Sequence, residues 1–232
     1  VYRKRDLSLR GVKQTTREDL ATGPITATGG NKYTPGNGFI YHAFTSTGSG
    51  IFTQTAGGAT IDILIVAGGG GGGGGYYAGG GGAGGILEGT LTGHQPGSYP
   101  LTVGAGGAAS LSATGNAGTG GNSVFATVTA LGGGKGGSGP GTNEAASVLA
   151  GGSGGGNSYY SVPVADAEGQ ALTQPAPDAY TAYGNNAAVA RNPGLLGGGG
   201  GGAGGAGTGG ACLLYTSPSP RDLSTSRMPS SA

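Results

Sequence analysis

The sequence predicts an all-β protein in which short strands and hairpins anchor a layered lattice of polyglycine-II helices. Three observations carry that expectation. Glycine supplies 60 of the 232 residues, far above the ~7% of ordinary globular chains. Short apolar, β-branched segments recur, and two of them, 61–67 and 123–131, run straight into the glycine runs 68–75 and 132–134. The runs are interrupted mostly by alanine (Ala78, Ala83, Ala203, Ala206), not by the serine or charge that breaks a flexible linker.

Taken in chain order, residues 1–32 are polar and poorly periodic, with Gly23-Pro24 and Gly29-Gly30-Asn31 as punctuation. They carry seven basic and three acidic side chains, a net of +4, whereas residues 33–211 carry two and six, a net of −4. No aromatics interleave the basic residues for base stacking. The segment therefore reads as a basic linker or the end of an upstream domain, with no nucleic-acid partner.

Residues 38–55 read as a hairpin: Phe39, Tyr41, Ala43 and Thr45 alternate with Ile40, His42 and Phe44, residues 47–50 turn, and 51–55 return. The near-continuous run Ile61, Asp62, Ile63, Leu64, Ile65, Val66 suits a strand buried on both faces. Further strands are expected at 86–92 and 98–104, joined by Pro96-Gly97, and at 123–131. Residues 33–150 form a β plus glycine-run domain. Residues 151–211 add a variable loop and a third run, 197–202, to the same lattice.

The glycine runs pose a physical choice. Ordering a residue costs about 1–2 kcal/mol, and glycine loses the most, so an isolated run stays flexible. Polyglycine in the polyproline-II conformation has three residues per turn and no internal hydrogen bonds. Its N–H and C=O groups point sideways and can satisfy each other only if several runs lie together. Without Cβ atoms the backbones approach closely enough. The expected lattice residues include Gly68, Gly71, Gly75, Gly133, Gly198 and Gly201. Ala203 and Ala206, three apart, are expected on one outer edge.

Chemistry-bearing motifs are sparse, and the chain reads as no enzyme, with no cofactor and no metal. The sole cysteine is Cys212, so residues 1–211 hold no thiolate site. Residues 104–109 fit a dinucleotide fingerprint, but so much glycine yields that pattern by chance and no amphipathic helix follows. His42 and His94 lack partners at ligand spacing and read as structural or solvent-facing. Asp166 and Glu168 lie in a Pro- and Ala-rich stretch without a pocket. Lys135 reads as solvated. No apolar run approaches the ~18 residues of a membrane span.

The tyrosines say more. Tyr159, Tyr160, Tyr180 and Tyr183 fall in 157–193, between two glycine runs, with Pro163, Pro175, Pro177 and Pro193 to stiffen the segment. Tyrosine offers a broad apolar face and one hydroxyl at low entropic cost, which suits recognition. These four, with Arg191, are the candidate receptor-binding residues, expected together and exposed at one end of the lattice. Tyr76-Tyr77 interrupt a run and are weaker candidates.

At this point the residues resemble a family. Residues 44–53, the strand 61–67 with its glycine run, residues 96–107 and residues 120–125 look like the glycine-rich domain of bacteriophage tail fibre and tail-tip adhesin proteins. The resemblance covers about residues 27–211. A similar domain occurs in an animal receptor tyrosine kinase, but the strand motifs fit the phage type better. The resemblance implies layered polyglycine-II helices whose distal loops bind a host cell-surface receptor, protein or glycan, on an extracellular virion, alongside other tail-fibre subunits. The alternative is a non-binding structural spacer of a virion or bacterial surface protein. Residues 157–193 match no motif of that family. Residues 212–232 resemble a translated sequencing adapter and are expected to be non-native. Val1 in place of Met points to a missing start.

Overall fold

β-Branched and aromatic residues favour the pleated backbone, and they build the strands here. The structure, a computed structural model, describes residues 25–112, 115–139, 150–158, 180–189 and 196–208. Among the described residues there is no helix, and the chain is all-β. The strands are β1 (Thr26–Thr28), β2 (Asn31–Tyr33), β3 (Tyr41–Ala43), β4 (Gly48–Ala56), β5 (Ala59–Val66), β6 (Ile86–His94), β7 (Gly97–Val103), β8 (Ser123–Phe125), β9 (Val128–Ala130) and β10 (Tyr180–Tyr183). All paired strands are antiparallel, in sheets of order β1-β4-β7-β8-β9, β10-β6-β5 and β2-β3.

Strands β5, β6 and β7 fall where the apolar segments place them. The segment 123–131 divides into β8 and β9 at a turn where Ala126 adopts φ 52°. Two expectations need correction. The hairpin over 38–55 does not form: β3 pairs with β2, and β4 pairs with β1 and β7. The turn expected at 47–50 is instead the start of β4. The reversal that matters is Gly29-Gly30, at φ 109° and 59°. A Cβ at Gly29 would strike the Ile51 carbonyl, so only glycine lets β1 pass this close to β4. His42 Nδ1–H donates to Gly29 O at 2.8 Å and braces the same turn. β5, in turn, is not buried on both faces. Ile65 is buried, but Leu64 and Val66 are 65% and 50% exposed, because β5 is an outer strand covered on one side only. The boundary read at residue 32 falls inside β2.

The side-chain core gathers Ile65, Ala67, Leu87, Val128, Ala130 and Tyr180, with Ile63, Leu91 and Phe125 against it. Beside it lies an aromatic cluster: Phe52 and Phe125 rings stand 6.1 Å apart, and His94 packs 3.9 Å from Tyr99. His94 and Gln54 are buried. The His94 Nδ1–H donates to Gln54 Oε1 at 2.7 Å, while Gln54 Nε2 donates to Gly57 O at 2.6 Å. Both histidines are thus structural, as their isolation in sequence implied.

Beyond the strands, the glycine runs have no internal ladder and bond sideways, with partners recurring every third residue. Ala67, Gly70 and Gly73 donate to Gly85, Gly82 and Gly79 at 2.8–3.0 Å. Gly79, Gly82 and Gly85 donate in turn to Gly137, Gly134 and Leu131, and Gly133, Gly136 and Gly139 donate to Gly68, Gly71 and Gly74. Gly80 and Ala83 donate to Gly198 and Gly201. The runs 68–75 and 132–134 are therefore direct neighbours, whereas 197–202 is reached through the intervening run 79–85. A Cβ built on Gly71 would overlap Ala108 O, on Gly133 Gly82 O, on Gly198 Ala188 O and on Gly201 Asn185 O. At Gly72 it would meet nothing within 4 Å.

Candidate functional site: the loop-bearing end of the glycine runs

The direction of the hydrogen bonding gives every run a near and a far end. Residues 67–74 continue β5 without a turn, so their near end is the sheet and their far end is Gly75. Run 79–85 returns to β6. Runs 131–139 and 153–156 ascend parallel to 67–74, since partner numbers rise together (Gly134 with Ser153, Gly137 with Gly156). Run 198–201 descends, pairing antiparallel with 154–157. At ~3.1 Å per residue the runs hold the two ends roughly 20 Å apart.

Among the described residues, the far end therefore collects the turn at 75–78 together with Ser110, Gly139, Ser158 and Gly197. Gly75 (φ 90°) and Tyr77 (φ 58°) make the first turn. This corrects the expectation for Gly75, which closes a turn and has no place among the laterally bonded rows. Tyr76 is 77% exposed, its ring 6.4 Å from that of Tyr77. Backbone packing draws these parts together: a Cβ at Gly139 would meet Tyr76 N and O, and one at Gly197 would meet Ala78 O and Tyr77 O.

The sequence-predicted recognition residues divide. Tyr159, Tyr160 and Arg191 lie outside the described residues. Tyr180 and Tyr183 are in strand β10, paired with Gly89 and Ile86 of β6, at the sheet end. Tyr183 is 40% exposed and donates to Glu88 Oε2 at 3.3 Å. Tyr180 is buried in the core, contrary to the expected exposure, and its hydroxyl finds no partner among the described residues. Burial pushes its pKa up. A four-residue strand completing the β6 edge explains both positions: alternation sends Tyr180 inward, and pairing removes the segment from any loop.

Sequence reasoning missed the polar side chains that repair the junction between strands and runs. Gly104 N donates to Ser123 Oγ at 2.9 Å, and Ser123 Oγ donates to Val66 O at 2.8 Å. Gly132 N donates to Asn122 Oδ1 at 2.8 Å. Asn185 Nδ2 donates to Gly202 O and Ala203 O at 2.8 and 3.0 Å. That last contact accompanies a bend at 203–205, where the expected straight edge carrying Ala203 and Ala206 is interrupted. The signal for these residues was their placement at the borders of glycine runs, where a regular backbone pattern must end. Among the described residues, no group of three or more His, Cys, Asp or Glu could hold a metal ion.

A family model described as a glycine-rich domain matches residues 44–213. No curated protein and no solved structure matches the chain.

Proposed function

The chain belongs to the glycine-rich domain family, and from that premise we propose that it is a non-catalytic structural and adhesive module that uses a rigid polyglycine-II lattice to hold loops away from a sheet base. The observation that carries this reading is the lateral hydrogen bonding repeated every third residue, the period of the polyproline-II conformation. An interior made of backbone is stiff but chemically blank, so specificity belongs to the connections at its far end. The resemblance to phage tail fibre proteins extends the proposal: an extracellular virion component whose loops contact a host surface protein or glycan, next to other fibre subunits. Within it, Tyr76 and the segment holding Tyr159, Tyr160 and Arg191 are the recognition candidates, and Tyr180 is withdrawn to a structural role.

A spacer without binding activity is the second reading, and the burial of Tyr180 favours it by taking one tyrosine out of the recognition set. The two separate cleanly. Exchanging residues 159–179 and 190–195 for Gly/Ser sequence of equal length in the full-length fibre abolishes adsorption to host cells if the module is adhesive. Unchanged adsorption by the exchanged fibre, with its melting temperature intact, leaves the spacer.

A further inference from the structure

The connection between β2 and β3 holds an asparagine followed by glycine, Asn37-Gly38, and both residues are exposed. Three groups converge on the Asn37 carboxamide. Its Oδ1 accepts the Phe39 backbone N–H at 3.2 Å. Its Nδ2 lies 2.9 Å from the Tyr41 hydroxyl oxygen. Its Cγ is followed, two bonds along the main chain from Cα, by the nitrogen of Gly38, the atom that can close a five-membered ring on it. Gly38 sits at φ 88°, and space around it is open, since a Cβ there would meet nothing within 4 Å. The Tyr41 ring is itself positioned by Phe39, 6.2 Å away. No other described asparagine is followed by glycine: Asn31, Asn116, Asn122, Asn157, Asn185 and Asn186 precede Lys, Ala, Ser, Ser, Asn and Ala.

We infer that Asn37 is a self-deamidating site, in which the Gly38 nitrogen attacks the Asn37 carboxamide while the Phe39 N–H steadies the oxyanion and the Tyr41 hydroxyl protonates the departing ammonia. The Gly38 N–H gives its proton to hydroxide or water and the nitrogen bonds to Cγ. Charge collects on Oδ1, where the Phe39 donor already points, the arrangement that stabilises tetrahedral intermediates of acyl transfer. The Cγ–Nδ2 bond breaks with its electron pair going to nitrogen, and Tyr41 supplies a proton that it regains from water. Ammonia leaves and a succinimide remains. Water then opens the ring at either carbonyl, giving aspartate or isoaspartate. One water is consumed, one ammonia is released and nothing is oxidised or reduced. The amide that donates to Tyr41 becomes a carboxylate that only accepts, and a negative charge enters a connection flanked by the exposed Tyr33, Phe39, Ile40 and Tyr41. The isoaspartate product also adds one carbon to the backbone joining the two strands.

The experiment is timed incubation of the full chain at mildly alkaline pH, followed by peptide mapping with isoaspartate detection. Asn37 converts ahead of every other asparagine. Tyr41→Phe keeps the ring and its Phe39 contact but slows conversion at Asn37 by roughly tenfold or more, the lower range of general acid assistance, while Asn116 and Asn122 in the same digest keep their wild-type rates. Gly38→Ala slows Asn37 as well. Conversion of Asn116 or Asn122 before Asn37, or a Tyr41→Phe protein that deamidates at the wild-type rate, overturns the assignment.

Discussion

The sheet end and the glycine end of this molecule are held together by different means. Around Leu87, apolar side chains exclude water, and the strands serve as their frame. Where residues 68–74 lie against 79–82 there are no side chains to pack, and main-chain groups of adjacent runs satisfy one another. A side-chain core tolerates graded change, because a smaller residue leaves a cavity that neighbours partly fill. A backbone interior has no such latitude, since a Cβ at an inward position lands on backbone atoms of the next run. Stability is thus spread by volume in one region and by access in the other.

The largest expected effect tests that distinction on adjacent residues. Gly71→Val displaces the run carrying Ala108 and endangers two hydrogen bonds, Gly71 N to Gly118 O and Gly136 N to Gly71 O. Overpacking with two buried groups left unpaired amounts to about 5 kcal/mol, enough to abolish cooperative unfolding in a denaturant titration. Gly72→Ala points into open space and leaves stability unchanged or raises it by up to about 1 kcal/mol through the unfolded state. Equal losses at 71 and 72 would remove the difference between inward and outward rows.

Next comes the side-chain core. Leu87 is fully buried, and Leu87→Ala lowers the unfolding free energy by about 2–5 kcal/mol, read from the same titration, with cooperativity retained. A smaller effect follows acidification. Burial holds the folded-state pKa of His94 below the usual 6.5, so the unfolded chain takes up the proton first. Its contribution is complete above that value and declines as pH falls through it toward the folded pKa. Melting temperature drops over this range in the native chain, and His94→Gln flattens that part of the profile. The smallest change is Tyr180→Phe: removing a buried hydroxyl without a partner among the described residues is neutral or stabilising by about 1 kcal/mol. A clear loss of stability would mean that the hydroxyl is paired.

These two means of cohesion also explain what the sequence disclosed. The glycine runs were legible because they are compositional, and a Cβ at Gly68, Gly71, Gly133, Gly198 or Gly201 would overlap a backbone carbonyl. Strands β5 to β7 were legible from local apolar runs. Pairing was not. β3 pairs with β2, an upstream segment whose residues Asn31, Lys32 and Tyr33 carry no apolar strand pattern. β10 becomes a strand through register with β6, far earlier in the chain, so Tyr180 and Tyr183 looked like loop residues when read locally. The far end was only half legible. Tyr76-Tyr77 stood out as an interruption, but its neighbours there are fixed by which runs ascend and which descend.

The recurrence of partners every third residue has a consequence for how such a molecule changes over generations. Removing one residue from a run turns everything beyond it by a third of a revolution, which points inward rows at solvent and outward rows at a neighbouring carbonyl. Removing three shortens the run by about 9 Å and leaves each remaining residue facing as before. Insertions and deletions that survive selection in these segments should therefore come in whole turns, matched between neighbouring runs. The length of the runs can then drift in discrete steps while the facing of each residue is inherited unchanged.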